Sequence, residues 1–216
     1  MAIYLAELID EMRDLLGDAT DTLVPFSSKV RYLNLGLAAM YPKIWQITRD
    51  TSITISSLTT REYTIPAAIA SGQLLTVELE TGSATGVYPR VSKYDIISPW
   101  TTPIITIAED LTDRVGARLR LTAATQITKF VAADYAAAGS VLFTGPPMAQ
   151  GLPVLYAMSM SMTRILNARM SYDKLSVQIQ NNAVGPNDIM ASSNFWMGQF
   201  LSQLDQLEMP FPSTVA

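Results

Sequence analysis

Residues 29–55 read KVRYLNLGLAAMYPKIWQITRDTSITI, and the spacing of their hydrophobic side chains changes within this stretch. Up to Met40 the hydrophobic residues recur every three or four positions, which predicts an amphipathic helix. Pro42 is expected to kink or end that helix, because proline cannot continue its hydrogen bonding. From Asp50 onward hydrophobic and polar residues alternate, as they do along a strand. A helical region therefore gives way to a β region within this stretch.

Helices are predicted on both sides of the β region. The first helix has hydrophobic residues at helical spacing, namely Leu5, Leu8, Ile9, Met12, Leu15 and Leu16. Gly17 is expected to end this helix, and Ser27 or Ser28 to cap the second one. Helical spacing returns in residues 152–170, and a last helix is predicted to end near Leu207.

The segment between the helices alternates in the manner of short strands, most clearly in Arg118-Leu119-Arg120-Leu121. The other predicted strands lie within residues 53–55, 62–65, 75–79, 87–93, 103–107, 126–132 and 141–144. Short strands of this kind favour an antiparallel sheet or a small barrel. The predicted fold class is α+β, a helical bundle of N- and C-terminal helices with an inserted antiparallel β domain. The predicted limits are 1–49 and 146–208 for the helical domain, 50–145 for the β domain and 209–216 for an extended C-terminal arm.

The composition excludes most common active-site chemistries. The chain has no cysteine and no histidine, which rules out thiolate zinc sites, cysteine nucleophiles and catalytic triads that use histidine. Only 16% of the residues are charged and the net charge is −4, which disfavours a protein that grips nucleic acid through its phosphates. No catalytic, cofactor-binding or metal-binding set emerges, so the sequence indicates a binding or assembly protein rather than an enzyme. Residues 135–163 are uncharged, but their glycines and prolines would break a membrane-spanning helix, and no membrane contact is expected.

Acidic residues follow the first helix at helical spacing. We call them the acidic face; its members are Glu7, Asp10, Glu11 and Asp14. They lie two positions after the leucine stripe, about 200° round the helix, so they point away from the core. A solvated helix face is the simpler interpretation. The alternative is that the helix lines a channel for a polyanion, where carboxylates would repel phosphate and prevent sticking.

Methionine is concentrated late in the chain, with eight of the eleven between Met148 and Met209. The helix in residues 152–170 is apolar or small on nearly every side, and such a helix needs cover all round. Part of that cover is expected to come from a second copy of the chain. Met158 and Met162 are therefore predicted at a subunit interface, with packing inside one copy as the alternative.

The predicted arm is too rich in proline to be helical and too apolar to be a typical solvated end. Its candidate docking residues are Met209, Pro210, Phe211, Pro212 and Val215. Extended segments bind along strand edges or place side chains in pockets, and proline lowers the entropy lost on binding. The arm is predicted to dock on a neighbouring subunit or a larger partner, with fraying in solvent as the alternative.

A basic face is predicted on the β domain. It would consist of Arg118, Arg120 and Lys129. Cross-strand ion pairs explain such a face most simply. The acidic partners available for these pairs are Glu78, Glu80 and Asp134.

Several short motifs, taken in order, resemble the head-to-tail adaptor (connector) proteins of tailed bacteriophages. The motifs are Lys29-Val30-Arg31-Tyr32-Leu33-Asn34 leading through Ala38-Ala39-Met40-Tyr41 to Ile44-Trp45, Tyr63-Thr64-Ile65-Pro66, Arg118-Leu119-Arg120-Leu121 and Gly145-Pro146-Pro147. The resemblance spans most of the chain. Pro42 departs from the family pattern, which has a continuous helix at that position.

The resemblance implies a structural virion protein, assembled in the host cytoplasm and located at the head–tail junction. Members of the family form a ring, commonly of twelve copies, beneath the portal protein and around the channel through which double-stranded DNA passes. The resemblance further implies that the helices build the ring, that the β insert contacts the next tail component and that the C-terminal arm reaches the portal. By this implication the acidic face would line the DNA channel.

Two alternatives belong to other functional classes. A host-surface or glycan-binding module could use Trp45, Trp100 and Trp196 as stacking platforms, although packing explains these scattered residues more simply. An enzyme could rely on carboxylates or lysine alone. An outward-facing acidic stripe argues against it, because catalytic carboxylates need burial or a cleft to separate their pKa values.

Overall fold

The computed structural model describes residues 4–82, 85–97, 102–131, 135, 142–173, 186–207 and 209. In chain order its elements are α1 (Leu5–Leu16), α2 (Phe26–Met40), β1 (Gln46–Thr54), β2 (Glu62–Thr64), α3 (Ala67–Ala70), β3 (Gln73–Leu79), β4 (Tyr94–Ile97), β5 (Ile104–Ile107), β6 (Arg118–Thr125), a short 3₁₀ helix (Pro147–Ala149), α4 (Leu152–Asp173) and α5 (Pro186–Gln206). Helices flank a region of antiparallel sheets, which confirms the predicted α+β class.

The ends of α1 and α2 follow from local backbone chemistry. Gly17 adopts a φ of 61° and donates its N–H to α1 carbonyls, so it ends the helix as predicted. The cap predicted for α2 is wrong. The Pro25 carbonyl accepts the N–H groups of Ser28 and Lys29 at 2.9 and 3.1 Å, and the helix begins at Phe26, before either serine. The helix ends at Met40, as the following proline requires.

The helical unit comprises Met1–Trp45 and Ile127–Met209. Within it, α4 packs against α1, α2 and α5. The α1 residues Leu5, Leu8, Ile9 and Met12 are buried in the core, as the hydrophobic stripe predicts. Gly36 allows α2 to approach α4 closely, since a Cβ placed there would lie 3.0 Å from the Pro153 Cα.

The β unit comprises Gln46–Gln126 and contains two antiparallel sheets of three strands. One has the order β1-β6-β3 and the other β2-β5-β4. In β6, Leu119 and Leu121 are buried in the core of the unit while Arg118 is exposed, as the alternation predicts. The strand predicted at 87–93 forms in part: the segment has one isolated bridge, between Arg90 and Glu78, and two backbone hydrogen bonds to β3, Val91 to Val77 at 2.8 Å and Leu79 to Pro89 at 3.0 Å.

The division between the units lies elsewhere than the sequence suggests. The β unit begins at Gln46, and the helical unit resumes at Ile127 rather than at residue 146. Ile127, Phe130 and Phe143 are buried in the helical core. Residues 127–131 form no strand, contrary to the prediction, because Ile127 and Phe130 pack in the helical core instead of pairing along a sheet.

Candidate functional site

All four residues of the acidic face are exposed on α1, opposite the buried leucine stripe. Glu7 accepts the backbone N–H of Tyr4 at 3.0 Å and so helps to begin the helix. Asp10 accepts a hydrogen bond from Arg13 at 2.9 Å. The structure therefore places the acidic face where solvent or a passing ligand can reach it, and its channel role stays a prediction.

A buried ionic network joins α1, the loop after it and α2. The Lys29 side chain is fully buried, and its ammonium lies 3.2 Å from Asp18 Oδ2 and 2.6 Å from Asp21 Oδ1. Arg13 donates two hydrogen bonds to Asp21, at 3.0 and 2.7 Å, and one to the Tyr135 hydroxyl at 2.6 Å. The sequence shows only an acidic stretch followed by a basic one, so this pairing was missed. Part of that charge sits inside the unit and is unavailable to a partner.

The network keeps both carboxylates ionised. Desolvation raises the pKa of Asp18, but backbone N–H groups of the following loop and the Lys29 ammonium outweigh it, and the pKa lies below its usual value. The Arg13 guanidinium, helped by Lys29, lowers the pKa of Asp21 to about 2. Each buried charge thus has a partner of the opposite sign, as a low-dielectric site requires.

An apolar cavity of about 520 Å³ lies between α2 and residues 129–131, and we call it the α2 groove. It is lined by Ser27, Val30, Arg31, Asn34, Leu35, Ala38, Lys129, Phe130 and Val131. Leu35 and Val131 are exposed hydrophobic residues. Neither Arg31 nor Lys129 has an ion pair within the described ranges, so they give the groove a basic rim.

The Asn34 side chain joins α2 to the segment that forms the other side of the α2 groove. Its side-chain amide donates to the Phe130 carbonyl at 2.8 Å and accepts the Phe130 N–H at 2.8 Å. The two bonds fix the extended segment against α2 without filling the space beside it. The Leu33-Asn34 pair in the sequence motif thereby acquires a structural role, since Leu33 is buried in the core and Asn34 clamps the segment.

The exposed side of α5 carries large hydrophobic residues that nothing in the described chain covers. Met190, Phe195 and Leu201 have exposed fractions of 52%, 56% and 51%, and we call them the α5 apolar face. Leu204 lies in the core, and Phe195 is about 180° from it round the helix, whereas Met190 and Leu201 flank the buried side. Aromatic residues and methionine are enriched where proteins contact each other. The sequence by itself does not indicate which hydrophobic side chains of the last helix stay exposed.

The interface predicted around Met158 is corrected by the structure. Met158 has an exposed fraction of 0%, since α1, α2 and α5 cover the first half of α4 within the same chain. None of its surface is available to another copy. Met162 is half-buried against the same core, and its interface role stays a prediction. An all-round apolar helix can thus be covered inside one unit, because three helices surround it.

Met209 docks on its own chain. Its N–H donates to the Lys43 carbonyl at 2.9 Å, and its side chain packs against the helical core. This contact corrects the expectation that Met209 belongs to an arm bound elsewhere. The other candidate arm residues, Pro210, Phe211, Pro212 and Val215, lie outside the described residues.

The predicted basic face is divided between the two units. Arg120 forms the expected cross-strand pair with Glu78, with nitrogen–oxygen distances of 2.7 and 2.8 Å. Lys129 belongs to the helical unit and lines the α2 groove. Glu80 is buried and accepts backbone N–H groups, including that of Arg118 at 3.1 Å. Asp134 lies outside the described residues.

A pocket of about 360 Å³ surrounds the Arg120–Glu78 pair in the β unit. We call it the arginine pocket; it is lined by Arg49, Leu75, Thr76, Glu78, Arg90, Arg120 and Thr122. Arg120 also stacks on the Tyr88 ring, at 4.4 Å from the ring centre. Sequence reasoning missed this cluster, because Arg49 and Arg90 are far from Arg120 along the chain.

Among the residues that the structure describes, neither the tryptophans nor the acidic residues group into a site of the alternative classes. Trp45 is buried and Trp196 is half-buried against the helical core, which leaves no open stacking platform at either. Trp100 lies outside the described residues. In the part of the chain that the structure describes, no three acidic side chains group as metal ligands, and no helix is long and apolar enough to cross a membrane.

Comparisons with known proteins give matches to solved structures alone. No protein-family model matches the chain, and no curated protein matches it. Three similar structures are chains of the neck of an empty GTA particle computed with C6 symmetry, the neck of a native GTA particle computed with C12 symmetry and the virion of a native gene transfer agent (GTA) particle. Their identities are 15%, 17% and 17%, their TM-scores 0.29, 0.31 and 0.29, and each match covers 91% of this chain and 94% of the other. At these identities and TM-scores the likenesses carry no argument about function.

Proposed function

We propose that this chain is a structural, non-enzymatic virion protein that forms a ring between the capsid portal and the tail, around the channel through which DNA leaves. The observation that carries ring formation is a pair of different uncovered apolar surfaces on one helical unit, the α2 groove and the α5 apolar face. The position at the head–tail junction is supported by the sequence motifs that resemble phage adaptors.

Two unlike surfaces favour a ring over a symmetric dimer. A dimer with two-fold symmetry buries the same patch on both copies, whereas a ring joins one patch to a different patch on the next copy. The α2 groove and the α5 apolar face belong to two different helices, and α4 packs against both of these helices. A copy can therefore present its groove to one neighbour and its α5 apolar face to another.

Charge and shape complement each other across this contact. Arg31 and Lys129 form the basic rim of the groove, whereas α5 contains two acidic residues and no basic one. The groove is large enough to receive an aromatic side chain. Phe195 is the aromatic residue among the exposed large hydrophobic residues of α5. Buried aromatic anchors with a charged rim are typical of stable interfaces.

Most of the remaining parts of the proposal come from the resemblance. The acidic face would line the channel and repel DNA phosphates, and the residues after Met209 would reach the portal. Met162, proposed from the apolar character of α4 and not from the resemblance, would lie near the subunit contact. The β unit would face the next tail component. Ring size would be the twelve copies common in the family.

The proposal is tested by measuring the native mass of the full chain with and without a candidate portal protein. We expect a ring, alone or on the portal, and we expect Phe195→Asp and Leu35→Asp each to abolish it by placing a charge in an apolar contact. Leu58→Asp, at an exposed position of the β unit, is the matched control and should assemble normally.

Mixing the two defective variants tests whether the contact joins unlike surfaces. Phe195→Asp retains an intact groove and Leu35→Asp retains an intact α5 apolar face, so a mixture should form pairs and nothing larger. Normal rings from either variant alone would contradict the assigned surfaces. A wild-type chain that stays monomeric with every portal tested would contradict the proposed function itself.

A further inference from the structure

We propose that the arginine pocket of the β unit is a binding site for a carboxylate-bearing acidic segment of a partner protein. The pocket gathers Arg49 from β1, Arg120 from β6 and Arg90 from the segment before β4, around the single carboxylate of Glu78. Three cations and one anion leave an excess positive charge in one concave site. The site lies outside the helical unit, so it is independent of the contact proposed for the ring.

Among the described residues, one of the three arginine side chains has hydrogen-bonding partners. Arg120 forms two hydrogen bonds with Glu78 and stacks on Tyr88, so its guanidinium is fixed in place. Arg49 and Arg90 are exposed, and neither side chain has a hydrogen bond or ion pair among the residues described. Both act on Glu78 through space and, after its bonds to Arg120, help to lower its pKa. Their donors remain available to a ligand.

The strand register brings these groups together. Arg49 lies opposite Thr122, which in turn lies opposite Thr76 on β3, and Arg120 lies opposite Glu78. The isolated bridge between Arg90 and Glu78 sets the third arginine beside that carboxylate. Guanidinium groups match the planar geometry of a carboxylate, and the threonine hydroxyls can donate further hydrogen bonds.

A protein carboxylate fits the site better than nucleic acid does. Nucleic-acid binding needs a basic stripe that follows many phosphates, whereas this excess charge is confined to one pocket. The chain as a whole is acidic, with a net charge of −4, and Glu78 inside the pocket would repel a phosphodiester track. One or two acidic side chains are the ligand that the pocket size and charge accommodate.

The test measures fluorescence anisotropy of a labelled tetraglutamate peptide with the full-length chain. We expect binding that weakens as NaCl rises from about 50 to about 500 mM, because the screening length falls over this range. Arg49→Gln/Arg90→Gln should weaken binding about tenfold or more, since charge-assisted hydrogen bonds are lost. Lys93→Gln removes an exposed positive charge elsewhere in the β unit and should change affinity less than about twofold.

Glu78→Gln gives a readout of opposite sign. It removes the one negative charge in the pocket, so the peptide should bind more tightly, which a merely structural role for these residues would not produce. Circular dichroism checks that each variant is folded. The proposal is overturned if wild type does not bind the peptide, if Lys93→Gln weakens binding as much as the double variant, or if tetraglutamine binds equally well. Tighter, pocket-dependent binding of a short DNA duplex or of inorganic phosphate would overturn the assignment to a protein carboxylate.

Discussion

Replacing Lys29 by methionine is the sharpest test of how the helical unit is held together. Lys29→Met keeps an unbranched chain of similar length but removes the ammonium that lies 3.2 Å from Asp18 and 2.6 Å from Asp21. Asp18 would keep its three backbone N–H donors, at 2.8, 3.1 and 3.0 Å, and Asp21 would keep Arg13. Asp18, whose side chain is fully buried, would then lose the cation that pairs with it.

Removing one partner of a buried ion pair costs about 3–5 kcal/mol, because the charge left behind stays desolvated. Because the backbone N–H donors and Arg13 remain, we expect Lys29→Met to lower the free energy of unfolding by about 3 kcal/mol, near the lower end of this range. Lys43→Met is the matched control, since Lys43 pairs with Asp205 at the surface and such pairs contribute about 0–1 kcal/mol.

Urea unfolding followed by circular dichroism at the helical band measures both variants. Adding Asp21→Asn to Lys29→Met should recover part of the loss, because it removes one of the two carboxylates that repel each other once the Lys29 ammonium is gone. If Lys29→Met costs no more than Lys43→Met, the buried network does not stabilise the unit and the reasoning is refuted.

Three further predictions concern pH, packing and the acidic face. The pKa of Asp21 is lowered in the folded state from 3.8 to about 2, so its stabilising effect is present above pH 3.8 and is lost as the pH falls through about 2. The free energy of unfolding of Asp21→Asn should therefore change less with pH in this window than that of wild type. Gly36→Ala should destabilise by about 1–3 kcal/mol through overpacking against Pro153, whereas Gly198→Ala, with open space around it, should stabilise by up to about 1 kcal/mol in thermal unfolding. Changing the acidic face to Gln and Asn should alter the free energy of unfolding by less than about 0.5 kcal/mol per site. Changing it to Lys should make assembled rings retain DNA in a salt-sensitive manner in a filter-binding assay. Unchanged retention would contradict the channel role.

Some elements could be predicted from short sequence windows because their causes are local. The α1 stripe, the Gly17 stop and the alternation in β6 depend on residues a few positions apart, and the structure confirms them. Residues 127–131 show the limit of this reasoning. Their composition suits a strand, but the burial of Phe130 and its hydrogen bonds to Asn34 hold this irregular segment against α2 instead.

Composition and periodicity were enough to predict an α+β chain without histidine or cysteine chemistry and with an outward acidic helix face. Which charges meet was decided by the tertiary structure alone. Lys29 turns inward to Asp18 and Asp21, and Arg49, Arg90 and Arg120 converge from separate strands. Met158 is covered by its own helices, while the α5 apolar face stays open. The physical reason is that burial and ion pairing act through distances in space, which the order of residues along the chain does not specify.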